Sequence, residues 1–304
     1  MTPLLSILIP VYNYDCTRLV EELFRQARAL PREVEILLGD DASQEPYPAV
    51  YTSLERQGLC RVIRGAANCG AGVMRNRLIA ESAGLYCLLI DSDTLPADAL
   101  FLSRYIDEAD ERSVLCGGFI YPSLKPDSTH MLRYRYGQAV ESRPAAERAL
   151  RPYDSFVSMC FMAPRSVLRE EAFNPSIGMG YEDAYLGKRL RERGIPIRHF
   201  TNPVVHALKE TSAQFLATTR RYVANLYRHR ALLSDAVRLL SYYDALLHKR
   251  YGRYVGLFFP ILGRPLEWML TSAHPSLKLF ALYKLLYLAH LHRADGTPLP
   301  LLAR

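Results

Sequence analysis

Three acid pairs in this chain stand where chemistry could be done: Asp40-Asp41, Asp91-Ser92-Asp93 and Glu182-Asp183. The middle pair is the most telling. The apolar run 85–90 stops abruptly in two carboxylates separated by one serine. In an open α/β sheet, ligands bind beyond the carboxyl ends of the parallel strands. A buried strand with this ending delivers two charges to the place where a ligand would sit. Hard divalent cations that also bind phosphate take oxygen donors, usually one or two carboxylates plus the phosphates themselves. On this reading Asp93 faces a cation, and Asp91 faces a sugar hydroxyl or the same cation. The same acids would also serve to cap a helix suggested by Pro96 and the residues up to Leu100, and such triplets arise by chance.

Glu182-Asp183 opens a helix expected from 182 to about 194, with Gly178 and Gly180 ahead of it and Gly194 behind. Acids in a first turn complement the helix dipole, which is reason enough for them. The functional alternative is that one of them takes a proton from an attacking hydroxyl. A helix N-terminus would keep such an acid ionised at neutral pH. His206 ends the last sheet-like segment, as a packed residue or as a ligand. Asn68, Gly70, Gly72 and Arg75 open another helix. Glycines there can cradle an anion and an arginine can pair with a diphosphate or a base, although a glycine turn into a surface helix accounts for them too.

The elements that must position these groups alternate. The continuous apolar run at 4–13 marks a strand buried on both faces, 33–43 repeats a hydrophobic strand ending in acids, 61–64 is a short third strand and 85–90 a fourth. Residues 17–29 carry apolar side chains at helical spacing. Such alternation implies parallel βαβ units wound right-handedly, so the acids at 40–41 and 91–93 fall along one sheet edge. Beyond them we expect a helix at 98–109, a strand at 113–121 and a strand at 156–163 ahead of a short helix. Between these last two strands lies a mobile polar stretch with Arg133, Arg135, Arg143, Arg148 and Arg151, facing whatever approaches the site.

At 304 residues, 49% hydrophobic and 23% charged, the chain has a globular composition rather than a disordered one. Its net charge of +7 is unevenly placed. Residues 1–206 hold 24 Lys/Arg and 26 Asp/Glu, while residues 207–304 hold 14 and 5. The basic excess therefore lies wholly in the last third, which suggests a separate role for it. Six scattered cysteines without a C-x-x-C pair suggest neither a zinc nor a disulfide framework and fit a reducing cytoplasm. The first thirteen residues make a poor signal peptide, and no run approaches the ~18–20 uncharged apolar residues of a spanning helix.

Together, Ser6-Ile7-Leu8-Ile9-Pro10-Val11-Tyr12-Asn13, Gly39-Asp40-Asp41-Ala42-Ser43, Asn68…Gly70…Arg75-Asn76, Asp91-Ser92-Asp93 and Glu182-Asp183 resemble the family 2 glycosyltransferases, inverting enzymes of the GT-A fold. The motifs stand in the family's order and at about its spacing over residues 1–206. The resemblance implies a Rossmann-like α/β fold, a mostly parallel sheet flanked by helices, for 1–206, with a C-terminal helical extension over 207–304. It also implies roles. Pro10, Tyr12 and Asp41 would contact the base and ribose, Asp41 meeting a uracil N–H. Arg75 would help hold the nucleotide, and Asp91 would touch the ribose or the donor sugar. Asp93 would bind Mn²⁺ or Mg²⁺ on the diphosphate, at a site that His206 can complete. Asp183 would be the catalytic base, with Glu182 supporting it or binding the acceptor. The partners implied are a nucleotide-sugar donor, a UDP-sugar, and a glycan or glycolipid acceptor. There are departures: Gly178-Met179-Gly180-Tyr181 precedes the acid pair where Trp-Gly-Gly or Gly-Gly-Glu-Asp is common, and no Q-x-x-R-W follows, which argues against a processive synthase.

The last third shows apolar residues at helical spacing interleaved with Arg and Lys, as helices packed on the catalytic domain or as a basic surface containing Trp268 laid on an anionic membrane. Nucleic-acid binding through it would leave the acidic sheet edge unexplained. The place expected for the protein is the cytoplasm, or the inner face of the membrane as a peripheral protein. A sugar-nucleotide pyrophosphorylase would open with a Gly- and Arg-rich loop, which Pro10-Val11-Tyr12-Asn13 is not. A scaffold on a decayed fold is opposed by the joint retention of Asp41, Asp91, Asp93 and Asp183.

Overall fold

The structure, a computed structural model, describes residues 3–249 and 252–295, so residues 250–251 and 296–304 of the expected extension lie outside it. In chain order the elements are β1 (Leu5–Val11), α1 (Thr17–Arg28), β2 (Val34–Asp40), α2 (Tyr47–Arg56), β3 (Arg61–Arg64), α3 (Ala71–Glu81), β4 (Tyr86–Ile90), β5 (Thr94–Pro96), α4 (Phe101–Asp107), β6 (Val114–Cys116) and β7 (Phe119–Ile120). They continue with α5 (Met131–Tyr136), α6 (Ala145–Ala149), β8 (Cys160–Pro164), α7 (Arg165–Glu170), α8 (Glu182–Glu192), β9 (Ile197–His199) and β10 (Val204–His206). Last come α9 (Ser212–Arg228), α10 (Arg230–Leu233), α11 (Arg238–Leu247), α12 (Phe259–Leu270) and α13 (Leu277–Ala294). Contacts divide the chain into two units. The first runs to Tyr121 and resumes over Ser142–Ala207; the second is Pro122–Glu141 with the residues from Leu208 on.

The first unit is built on a seven-stranded sheet in the order β3-β2-β1-β4-β8-β6-β9. Strands β3, β2, β1 and β4 are parallel, β8 runs antiparallel to both its neighbours, and β9 is parallel to β6. Successive side chains of a strand face opposite ways. Leu5, Ile7, Ile9 and Val11 of β1 therefore join Leu19, Leu23, Tyr51 and Tyr105 in one core layer, and Leu8 joins Met74, Leu78, Leu186 and Leu190 in the other. That two-sided burial is why these strands read as unbroken apolar runs. Gly39 of β2 marks a close approach: a Cβ there would lie 2.7 Å from Met74 Sδ, so α3 sits directly on the strand.

A second, three-stranded sheet in the order β5-β10-β7 stands beside the first. It departs from expectation. Thr94–Pro96 is a strand, α4 begins only at Phe101, and the acid that turns the chain into it is Asp98, which accepts from Leu100 N–H at 2.9 Å. Asp91 and Asp93 are thus free of the capping role. The strand expected over 113–121 is broken at Gly117-Gly118, Gly118 having φ +87°, so that β6 and β7 serve different sheets. Helix α2 follows the turn after β2, a stretch for which the sequence carried no expectation.

The arginine-rich stretch also differs from its reading. Arg133 and Arg148 are both only 7% exposed. From α6 the Arg148 guanidinium donates to the carbonyls of Arg143, Cys116, Gly117 and Phe200 at 3.0–3.1 Å and to His199 Nδ1 at 2.7 Å. A fork of five N–H donors is suited to collecting stray carbonyls where strands end. Arg133 belongs to the second unit, where it pairs with Glu141 at 2.7 Å.

That second unit is helical. A capping box between Thr211 and Gln214 starts α9. Leu132, Phe215, Leu216, Leu266, Leu270, Phe280, Tyr283 and Leu286 form its core. Among the described residues no helix is long and apolar enough to cross a membrane. All six cysteines are free.

Arg148→Met keeps the bulk and removes the donors, leaving buried carbonyls without partners. We expect a loss of about 3 kcal/mol in unfolding free energy, read from the denaturation midpoint. A loss below ~1 kcal/mol would mean that the guanidinium is not what joins these segments.

Candidate active site

Strand β4 ends at Ile90, and the chain folds back at once. Asp91 N–H donates to Met159 O at 2.8 Å, and both the N–H and the hydroxyl of Thr94 donate to Asp91 O. The tight turn aims the side chains of Asp91 and Asp93 and leads straight into β5. Antiparallel pairing then sets His206 of β10 opposite Thr94, with Ala207 N–H on Asp93 O at 3.0 Å. His206 Nε2 consequently lies 3.3 Å from Asp93 Oδ2. The imidazole packs edge-on against Tyr121 at 5.3 Å, and its Nδ1 is buried with no hydrogen-bond partner.

A carboxylate with an imidazole Nε2 beside it is a donor pair that a divalent cation can take. Among the described residues no group of three His, Cys, Asp or Glu could hold a metal. A cation bound by Asp93 and His206 would therefore draw its other ligands from a substrate and from water.

Arg75 of α3 sits between the acid pairs. It is 4% exposed, and its Nη2 donates to Asp91 Oδ1 at 2.7 Å while Nη1 meets Glu182 Oε1 at 3.3 Å. The guanidinium lies over the Phe173 ring at 5.3 Å. Asn76, one residue on, holds Phe173 in place by exchanging hydrogen bonds with its backbone N–H and carbonyl, at 2.9 and 2.7 Å. Phe173 carried no sequence signal beyond being aromatic. With its charge committed to two carboxylates, Arg75 acts in this structure as the brace between them.

Glu182 and Asp183 begin α8, immediately after Tyr181 in the left-handed conformation at φ +68° and two glycines at φ +69° and +76°. Tyrosine rarely adopts this conformation, so the turn is held by what surrounds it. It presents Glu182 to Arg75, leaving Glu182 Oε2 buried and unpaired. The half-buried Asp183 accepts from Ala184 N–H at 2.7 Å. Contrary to the expectation from the helix dipole, Asp183 is not held as a strong acid. Burial, reinforced by the charge of Glu182, pushes its carboxyl up to about 7 against the opposing pull of that N–H bond and of Arg75. Burial also raises Asp91, opposed by Arg75 and reinforced by Asp93.

The remaining candidates lie at the ends of β1 and β2. Pro10 is buried within β1 in register with Gly39, while Tyr12, past the strand end, is 46% exposed. Asn13 ties the two loops together: Gln44 N–H donates to its Oδ1, and its own N–H donates to Ser43 Oγ. Asp41 is buried and accepts from Cys69 N–H at 2.9 Å, Gly70 N–H at 2.8 Å and the Cys69 thiol. It thereby fixes the glycine turn ahead of α3. A carboxylate has about four lone-pair sites, so Asp41 keeps roughly one for a ligand.

The family model of glycosyl transferase family 2 matches residues 6–173. No curated protein matches the sequence. Among solved structures, a mannosyltransferase from Pyrobaculum calidifontis, in complex with GDP-Man and Mn²⁺, aligns over 98% of this chain and 89% of its own with a TM-score of 0.59 and 13% identity. Glucosyl-3-phosphoglycerate synthase from Mycobacterium tuberculosis, in complex with Mn²⁺, UDP and glucosyl-3-phosphoglycerate, aligns over 76% and 80% with a TM-score of 0.51 and 18% identity. These likenesses show the GT-A fold.

Asp183 makes a prediction about stability. Between its ordinary value of 3.8 and about 7 the folded chain holds a proton that the unfolded chain has lost. Stability therefore falls as pH rises through that window. Asp183→Asn should be more stable than the parent by up to about 4 kcal/mol near pH 8 and level with it near pH 4, measured by denaturant unfolding at both. Equal stability near pH 8 would show that Asp183 titrates normally.

Proposed function

The chain belongs to glycosyl transferase family 2, and from that premise we propose that it is an inverting, metal-dependent transferase. It moves a single sugar from a UDP-sugar to a glycan or lipid-linked glycan acceptor in surface polysaccharide synthesis, working in the cytoplasm at the inner face of the membrane. The observation that carries this reading is the buried Arg75, whose one guanidinium joins the strand-end Asp91 to the helix-start Glu182. A donor-side carboxylate and an acceptor-side acid pair are thereby held as one rigid piece, as a displacement between two bound substrates requires.

In this reading Asp93 and His206 hold Mn²⁺ or Mg²⁺, which fits the metals bound in the two structural neighbours. Bound there, the cation would supply positive charge to the diphosphate oxygens on which negative charge grows as the sugar departs. Tyr12 and Asp41 take the nucleoside, Asp41 accepting from a uracil N–H through its remaining lone pair. Asp91, with one oxygen engaged by Arg75, turns the other to a ribose or sugar hydroxyl. Asp183 accepts the proton of the acceptor hydroxyl as the new bond forms on the face opposite the diphosphate. A carboxylate raised to about 7 is a stronger base than an ordinary one and is still largely ionised just above neutrality. Glu182 keeps Asp183 raised and supports it as the base.

Two variants test the roles separately. Asp183→Asn should lower kcat roughly 10²–10⁴-fold while leaving the thermal shift produced by UDP and Mn²⁺ intact. Asp93→Ala should lose turnover and the metal-dependent part of that shift, which for the parent amounts to about 2.7 kcal/mol at a hundredfold excess over Kd. With the parent, transfer should rise with pH through about 7 as Asp183 loses its proton. Undiminished turnover in either variant would remove that residue from the mechanism, and an absence of any nucleotide-induced shift in the parent would remove the donor reading itself.

A further inference from the structure

The second unit carries an apolar surface that sugar transfer does not use. At 100° per residue, Phe258, Ile261, Leu262, Trp268 and Met269 fall within an arc of ~120° on α12 and the residue before it. All five are exposed, Ile261 at 70% and Trp268 at 78%. On the opposite side Gly263, Leu266 and Leu270 are buried, the two leucines within the unit's core. Helix α12 is therefore apolar on two faces, one spent on its own core and one open. A surface helix ordinarily turns polar residues outward, and a contiguous exposed apolar patch marks a partner.

Charge identifies the partner. Residues 245–294 contain seven Lys or Arg and a single acid, Glu267. That acid is engaged within the unit by Arg220 and by the Tyr283 hydroxyl, the latter at 2.7 Å. Arg264 stands exposed at the edge of the apolar arc, and Lys278 is exposed at the start of α13. An apolar strip with a tryptophan, edged by Arg264 in a stretch rich in cations and lacking a free acid, suits a bilayer surface with anionic headgroups. A second copy of the same face would set like charges together.

We propose that α12 docks flat on an anionic lipid surface, with Ile261 and Trp268 entering the acyl boundary and Arg264 against headgroup phosphates. The inference stands on the second unit alone and does not depend on the transferase reading.

Trp268 is the only tryptophan in the chain, so its fluorescence reports this face and no other. The full chain would be titrated with vesicles of phosphatidylcholine, and of phosphatidylcholine with phosphatidylglycerol, each also prepared with brominated acyl chains. The expected result is a shift of emission to shorter wavelength and quenching by brominated lipid on the anionic vesicles, weakening as salt is raised. Ile261→Asp should lower the affinity roughly tenfold or more. Arg264→Gln should lower it roughly fivefold on anionic vesicles and hardly at all on neutral ones. Both positions are exposed, so unchanged Tm values confirm that each variant is folded. Three results would each overturn the proposal. One is sedimentation with vesicles while Trp268 emission stays unmoved and unquenched. Another is equal affinity for neutral and anionic lipid. The third is an emission shift that follows protein concentration without lipid, which would give the face to a second copy.

Discussion

A buried guanidinium governs the first unit's chemistry. Arg75 is nearly inaccessible, stacked on Phe173 and shared between Asp91 and Glu182. Removing three charges from water is costly, and ion pairing at this depth seldom gains net stability over apolar packing. What the arrangement gives instead is position: a planar fork fixes two carboxylates that are 91 residues apart in sequence. The neighbouring features follow from the need to keep that fork in place. Gly39 lets α3 lie against the sheet, Asn76 clamps Phe173 beneath the guanidinium, and the left-handed turn at Tyr181 aims Glu182 at it.

The same brace shapes the electrostatics. Arg75 spends its charge on Asp91 and Glu182, so Asp183 next door feels more of Glu182's repulsion and of its own burial than of any cation. Two adjacent carboxyls thus have different environments, one neutralised by an arginine and one left raised. Separating neighbouring acids in this way is how a site obtains a base suited to neutral pH without a histidine.

The sequence discloses much of this and hides the rest for definite reasons. Strands β1, β2 and β4 are legible because burial on both faces demands unbroken apolar runs. The acids at the ends of β2 and β4 are legible because they break such runs, although Asp40 and Asp41 are themselves buried and satisfied by backbone N–H groups. Strand β5 is not legible. It is three residues long, ends in proline and has no periodicity, yet it is what brings His206 to Asp93. Arg148 misleads in the opposite direction, since an arginine in a polar stretch looks solvent-facing until the carbonyls it collects from four other residues are seen. The raised Asp183 shares that cause: position at a helix start predicts a lowered carboxyl, and only three-dimensional burial reverses it.

The pairing of β5 with β10 has a consequence for the order of assembly. Asp93 and His206 are separated by 113 residues, with strands β6, β8 and β9 formed from the chain between them. Contacts of such long range carry a larger loop-closure cost than local ones. On a ribosome the strand end bearing Asp91 and Asp93 is synthesised well before residue 206 exists. The nascent chain thus holds the acid-bearing end of β4 early and the imidazole that meets Asp93 only when the first unit is nearly finished. Formation of the Asp93–His206 contact is in this sense a mark of completed folding.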